Sequence, residues 1–258
     1  MGRSADTIVL EARDLRKAFG GVRAVDGCSF VVPHGKISGL IGPNGSGKTT
    51  TFNLLTGLTP PDSGQVIYKG ESLAGLKPYQ IFGKGITRTF QITRIFREMT
   101  VLENMLSVTG LRVPDRVARE RAAELIAFVN LGHLRAEYGG RLSYGQQKLL
   151  EFARALMTDP DLILLDEPAA GVNRTLLQQL LEHIHRLQAQ GKTIVIVEHD
   201  MNVIMNHCDR IFVMDYGVKI AEGPPAEIQR DPRVLEAYFG RRRRPDDAGA
   251  MPGAPRMG

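Results

Sequence analysis

Residues 42–49 of this 258-residue chain read GPNGSGKT and match the phosphate-binding pattern G-x-x-x-x-G-K-[ST] at every defined position. Gly42, Gly45 and Gly47 let the backbone fold tightly enough for its N–H groups to face a triphosphate. A helix beginning near Lys48 adds the positive end of its dipole. Lys48 would reach the β and γ phosphates, and the Thr49 hydroxyl would bind Mg²⁺. One hydroxyl is not enough for that ion, so a carboxylate is needed elsewhere. LILLDEP at 162–168 offers one: an apolar strand delivers Asp166 and Glu167 at its carboxyl end, where open α/β sheets bind ligands. Asp166 is the natural Mg²⁺ partner, and Glu167 is left to polarise an attacking water.

Two further polar residues suit the same place. Gln91 follows ITRTF, where a neutral amide could touch both metal and water without changing the charge. His199, in EHD, comes just past the TIVIV strand and emerges at the same sheet edge; a surface or packing histidine is the alternative. Adenine needs an aromatic face and the chain has no Trp, so Phe19 is the stacking candidate, with an ordinary core Phe as its alternative. A second glycine-containing helix start, Leu142, Ser143, Tyr144, Gly145 and Gln146, has the makings of another anion site: N–H groups, a hydroxyl and a dipole end. An ordinary cap at Ser143 is the competing reading. A second γ-phosphate reader is useful if it reads a nucleotide held by another subunit. Two chains placed head to tail would then sandwich two nucleotides.

The elements that must position these residues are legible. Thr7–Ala12 and Cys28–Val32 read as strands, and Lys36–Ile41 as the strand entering the glycine loop. Thr49–Leu55 follows as a helix ended by Gly57 and Pro60–Pro61, and Gln65–Tyr68 as a short strand. From Pro114 to Leu156 the pattern is helical, with Val117, Ala122, Leu125, Ile126 and Val129 on one face. Strands return at Leu162–Leu165 and Thr193–Val197, around a helix over Thr175–Gln190 that Gly191 would cap. Ile211–Met214 and Val218–Ala221 flank Asp215–Tyr216–Gly217 as a hairpin. Continuous apolar strands alternating with helices imply a buried parallel sheet.

The bulk composition, 43% hydrophobic and 24% charged, is that of an ordinary globular protein. No run approaches the roughly 20 apolar residues of a membrane span, and the N-terminus has no signal-like apolar core. Cys28 and Cys208 alone make no disulfide framework, and a reducing cytosol is the simpler setting. The net charge of +5 hints at nucleic acid, but the last 18 residues hold five Arg against two Asp, leaving only +2 on residues 1–240. No nucleic-acid partner is expected. The Pro/Gly-rich tail at 241–258 reads as disordered, with attraction of its arginines to anionic lipid as a minority reading.

The order GPNGSGKTT, Gln91, LSYGQQ, LILLDEP, AAGVN and EHD resembles the ATP-binding cassette of ABC transporters over about residues 8–240. Within that superfamily, RTFQITRIFREMTVLEN, LSYGQQ, DEPAAGVN and DPRVLEAYFG resemble one ATPase subunit of branched-chain amino acid importers. The resemblance implies an α/β P-loop NTPase: a RecA-like core, an antiparallel β-subdomain, and an α-helical subdomain inserted at about 92–157. It implies ATP bound by Phe19, Val25, Gly42, Pro43, Asn44, Gly45, Ser46, Gly47, Lys48, Thr49 and Thr50, and Mg²⁺ bound by Thr49, Gln91 and Asp166. Catalysis would fall to Glu167, His199, Gln91 and Lys48. Leu142 to Gln146 would form the signature that reads the partner subunit's ATP, and Asn173 would lie in the loop joining the subunits. Implied partners are a second ATPase subunit, two membrane permeases and, indirectly, a solute-binding protein outside the cell. The chain would sit on the cytoplasmic face of the membrane. Ile92–Asn104 is the expected docking strip, with Ile95, Phe96, Met99 and Val101 as its apolar contacts; core packing is the alternative for the same residues. Tyr144 departs from the family's commoner glycine, and Asn173 from its commoner Asp. Alternatives are an importer ATPase for another small solute such as urea or amides, and a cassette ATPase acting on nucleic acid or ribosomes.

Overall fold

A computed structural model describes residues 7–109 and 113–240, so the arginine-rich tail lies outside the described residues. In chain order the strands are β1 (Ile8–Phe19), β2 (Val22–Pro33), β3 (Ile37–Ile41), β4 (Ser63–Tyr68), β5 (Glu71–Ser72), β6 (Ile86–Arg88), β7 (Leu162–Asp166), β8 (Thr193–Val197), β9 (Arg210–Asp215) and β10 (Val218–Gly223). The helices are α1 (Lys48–Leu55), α2 (Pro78–Gly83), α3 (Val101–Leu106), α4 (Asp115–Phe128), α5 (Tyr144–Ala155), α6 (Arg174–Ala189), α7 (Met201–His207), α8 (Pro225–Ile228) and α9 (Pro232–Phe239).

Six strands form the central sheet in the order β10-β9-β3-β8-β7-β6. All its pairings are parallel except the β9–β10 hairpin, which turns through Tyr216 and Gly217 as the sequence indicates. The apolar runs are explained by burial on two faces. In β7, Leu162 and Leu164 enter one core, while Ile163 and Leu165 enter the other. In β8, Val195 and Val197 part from Ile194 and Ile196 in the same way. Because β3, β6, β7 and β8 run parallel, their carboxyl ends share one edge. That edge receives the glycine loop, Gln91, the Asp166–Glu167 pair and His199.

The second sheet is antiparallel, in the order β2-β1-β4-β5. It encloses a core with Phe52, Leu54 and Leu55 of α1 and one face of the central sheet. β1 and β2 run 12 residues each, beyond the expected Thr7–Ala12 and Cys28–Val32. Their extensions carry few apolar residues; instead Arg16 pairs across the ladder with Asp26, a charge pair that a hydrophobic pattern cannot reveal. β5 and β6 went unanticipated because two and three residues show no periodicity.

The helical stretch expected over Pro114–Leu156 is α4 and α5 joined by two single 3₁₀ turns, with α3 packed beside them. One residue of its predicted face is wrong: Val117 is 51% exposed, and Ala118 is buried instead. Positions 118, 122, 125, 126 and 129 follow the helical spacing, whereas 117 lies about 140° round the helix from 122.

Candidate active site

The phosphate loop is set by close backbone approaches. β3 ends fully buried at Ile41, and the chain turns through Gly42 to Gly47 into α1. Gly47 has φ 100°, and a Cβ there would lie 2.3 Å from the Ala24 carbonyl oxygen of β2. Only glycine fits. The buried Lys48 ammonium donates to the Gly42 and Pro43 carbonyls at 2.8 and 2.9 Å, which aims it into the loop. Burial pushes its pKa down, and the nearby Glu167 and Asp166 carboxylates oppose that shift.

The carboxylate pair sits at the end of β7, with Asp166 as its last residue and Glu167 the next. Asp166 is 4% exposed, and its amide donates to Thr89 Oγ1 at 3.3 Å. Glu167 adopts φ 47°, a left-handed conformation that costs a non-glycine residue about 1–3 kcal/mol and is typical of functional turns. Gln91 Nε2 donates to Glu167 Oε2 at 2.8 Å, and His199 Nδ1 lies 3.9 Å from the same oxygen. The structure therefore gathers Gln91, Glu167 and His199 around one carboxylate oxygen, from the ends of three different strands.

Three charged residues that the motif reading missed hold this arrangement. The Glu198 carboxylate has no exposed surface; it accepts from the Ala169 amide at 2.6 Å and the His199 amide at 3.1 Å, stapling the loops after β7 and β8. Burial raises its pKa, against those hydrogen bonds. Lys148 of α5 donates to the Glu167 carbonyl at 3.0 Å and the Pro168 carbonyl at 3.4 Å. Its pKa is lowered by burial, with Glu198 foremost among the opposing carboxylates. Arg88 pairs with Asp166. The available signal was a charge placed inside or beside an otherwise apolar element, as in VEHD and LSYGQQKLLEF.

Ser143 caps α5 reciprocally: its Oγ accepts from the Gln146 amide at 3.3 Å, and Gln146 Oε1 accepts from the Ser143 amide at 2.9 Å. Leu142 is buried at 5% exposure. Gly145 abuts α6, where a Cβ would meet Leu176 Cδ2 at 2.3 Å. Tyr144 is 44% exposed, and its ring lies against Gly171. Asn173 caps α6 by accepting from the Leu176 amide at 2.9 Å. The signature stretch and the 171–173 turn are thus packed together within one chain.

For the base, Phe19 ends β1 with 52% of its surface exposed and Lys17 Nζ 5.7 Å from its ring centre. Val25 is different from its expectation. It is 1% exposed in the core between the sheets and offers no side-chain surface to a base; β2 meets the loop through the neighbouring Ala24 carbonyl instead. Asn44, Gly45 and Thr49 are exposed, Pro43 and Thr50 half-buried, and Ser46 is buried, with its Oγ 3.5 Å from Lys48 Nζ. The oxygens of Thr49, Gln91 and Asp166 are hard donors that suit Mg²⁺. Among the described residues no cluster of three or more His, Cys, Asp or Glu could hold a metal. Cys28 and Cys208 are buried thiols whose pKa values burial pushes to about 11 and about 12.

Beside the site lies an apolar cavity of about 350 Å³, lined by Leu58, Tyr79, Phe82, Phe90 and Val108, with Arg88 and Arg154 among its polar residues. In the neighbouring strip Ile92, Phe96 and Met99 are exposed and Ile95 is half-buried. Val101 is fully buried as the first residue of α3, so it belongs to the core rather than to a docking surface.

A family profile described as ABC transporter matches residues 25–170, and one described as branched-chain amino acid ATP-binding cassette transporter matches residues 218–243. The high-affinity branched-chain amino acid transport ATP-binding protein BraF of Pseudomonas aeruginosa is 39% identical over 249 residues, covering 90% of this chain and 98% of that protein. LivG of Salmonella typhimurium, of the same description, is 40% identical over 249 residues with the same coverage. A crystal structure of the ADP conformation of an ATP-binding cassette from an ABC transporter superposes with a TM-score of 0.82 at 36% identity, covering 90% of this chain and 99% of that one. With the phosphate loop, the carboxylate pair and the glutamine and histidine assembled on one sheet edge, the chain belongs to the ABC transporter family as one of its ATP-binding cassettes.

Proposed function

We propose that this chain is the ATP-hydrolysing subunit of an importer for branched-chain or other hydrophobic amino acids. The observation that carries the ATPase reading is the convergence of Gln91 and His199 on Glu167 Oε2 beside the Lys48 loop. The solute follows from the relatives, which span 90% of this chain. Glu167 polarises the attacking water while Gln91 orients the carboxylate. His199 hydrogen-bonds the γ-phosphate, and Lys48 and the loop amides neutralise developing charge. Mg²⁺, which Thr49, Gln91 and Asp166 would hold, would supply charge neutralisation on the phosphate oxygens. Phe19 stacks on the base.

Ser143, Tyr144, Gly145 and Gln146 read the γ-phosphate of ATP bound to a second cassette, with Leu142 anchoring them in the core. Asn173 contacts that subunit. ATP drives closure because it touches both subunits only in the closed state, and that differential binding shifts the population. Among the described residues no helix is long and apolar enough to cross a membrane. As expected for the transport systems of the relatives, two permease subunits supply the pathway, docked over Ile92, Phe96 and Met99 on the cytoplasmic face, with a solute-binding protein delivering substrate outside. The test is uptake of radiolabelled leucine by cells carrying the transporter with wild-type or Glu167→Gln chain. Loss of both uptake and ATP turnover, with ATP binding retained, is expected. Uptake unaffected by Glu167→Gln overturns the engine role, and an ATPase with no leucine-dependent phenotype overturns the solute.

A further inference from the structure

Arg88 is the last residue of β6, and its side chain is only 6% exposed. One terminal nitrogen donates to Asp166 Oδ2 at 2.5 Å and the other to Asn53 Oδ1 of α1 at 2.6 Å. The rings of Phe52 and Phe90 lie 5.5 and 5.1 Å from its guanidinium carbon. Its Nε is buried without a partner, so nothing about the group is incidental to solvent. Four elements thus meet on one planar cation: β6, β7, the helix that follows the phosphate loop, and the segment that leads to Gln91. Arg88 and Phe90 also line the 350 Å³ apolar cavity.

We propose that Arg88 is a positioning residue for the reaction, which fixes the Asp166 carboxylate for Mg²⁺ and ties it to α1 from the floor of the cavity. The proposal rests on the reading of Asp166 as the metal's carboxylate. By donating to Oδ2, the guanidinium would hold the Asp166 carboxylate in one orientation toward the ion. The fork matters as much as the charge: it spans two oxygens on separate elements, which the point charge of a lysine does not. Residues 88–91 then grip both members of the carboxylate pair, Arg88 on Asp166, Thr89 on the Asp166 amide and Gln91 on Glu167.

The test uses the full chain, a fluorescent ATP analogue and Mg²⁺ added after EDTA. Arg88→Lys keeps the positive charge and removes the fork. Binding of the Mg²⁺-free analogue should stay close to wild type, because the Lys48 loop is untouched. The Mg²⁺ concentration for half-maximal enhancement should rise about tenfold or more, the range seen when partners of a metal ligand are removed. Asn53→Ala, which frees the other end of the fork, should raise it less. The double variant should be no worse than Arg88→Lys, since both changes act through one guanidinium. An unchanged Mg²⁺ requirement in a folded Arg88→Lys chain overturns the proposal. Should Arg88→Lys fail to fold, an unchanged requirement in Asn53→Ala overturns it equally. Asp166→Asn separates the two layers. If it too leaves the Mg²⁺ requirement unchanged, the metal assignment fails and the clamp with it; if it alone raises the requirement, only the clamp fails.

Discussion

Substituting Ser143 by Ala separates a helix cap from a phosphate reader, because the two roles differ in magnitude. As a cap, the hydroxyl accepts one hydrogen bond, at 3.3 Å from the Gln146 amide, and the reciprocal bond from the Ser143 amide to Gln146 survives the change. Losing such a cap costs about 1 kcal/mol. For a chain of this size that lowers the melting temperature by about 2–4 °C. Natural stabilities are about 5–15 kcal/mol, so the chain stays folded and turnover should hardly change. As a donor to a γ-phosphate in the closed dimer, the same hydroxyl contributes in the transition state, where loss of one donor costs roughly 100- to 1,000-fold in rate. The assay is kcat of the assembled transporter beside the melting temperature and ATP affinity of the isolated subunit. The expected result is a fall of 100-fold or more in kcat, a shift of a few degrees and unchanged subunit affinity. A kcat within about threefold of wild type, with the same few-degree shift, refutes the cross-subunit reading and leaves Ser143 as a cap.

Other perturbations follow from particular contacts. His183 is buried at 3% exposure with neither ring nitrogen hydrogen-bonded, and burial lowers its pKa. Since the unfolded chain takes up a proton that the native ring refuses, this group's stability contribution is full above pH 6.5 and is lost as pH falls below it. His183→Leu should raise stability by about 1 kcal/mol and flatten the fall of the denaturant midpoint below pH 6.5, whereas a lowered midpoint at pH 7 contradicts the burial penalty. Gly47→Ala should abolish ATP binding while leaving the far-UV circular dichroism intact, because its Cβ would strike the Ala24 carbonyl at 2.3 Å. An ATP affinity within twofold of wild type would show that the loop can move aside.

The chemistry-bearing motifs were legible because each depends on local backbone geometry. GPNGSGKT needs its glycines to turn, and the LILLD and TIVIV runs declare strands buried on both faces. The order of those strands within the sheet was not legible, since β3 and β8 lie side by side although about 150 residues intervene between them in the chain. Val117 was misplaced because hydrophobicity was read ahead of helical spacing, and Val101 because an apolar strip reads alike whether it faces a core or a partner. Val25 was misplaced because the loop touches β2 through a backbone carbonyl, which carries no sequence signature.

By itself the sequence determined the phosphate loop, the two carboxylates at the end of β7 and the helix start at Ser143, because turn formation, strand burial and capping are decided by neighbours along the chain. Only the tertiary structure decided that Gln91 and His199 meet on one oxygen of Glu167, that Glu198 staples two loops and that Arg88 holds Asp166. Those contacts join residues from separate strands, and the parallel register that aligns the strand ends exists only once the sheet has formed.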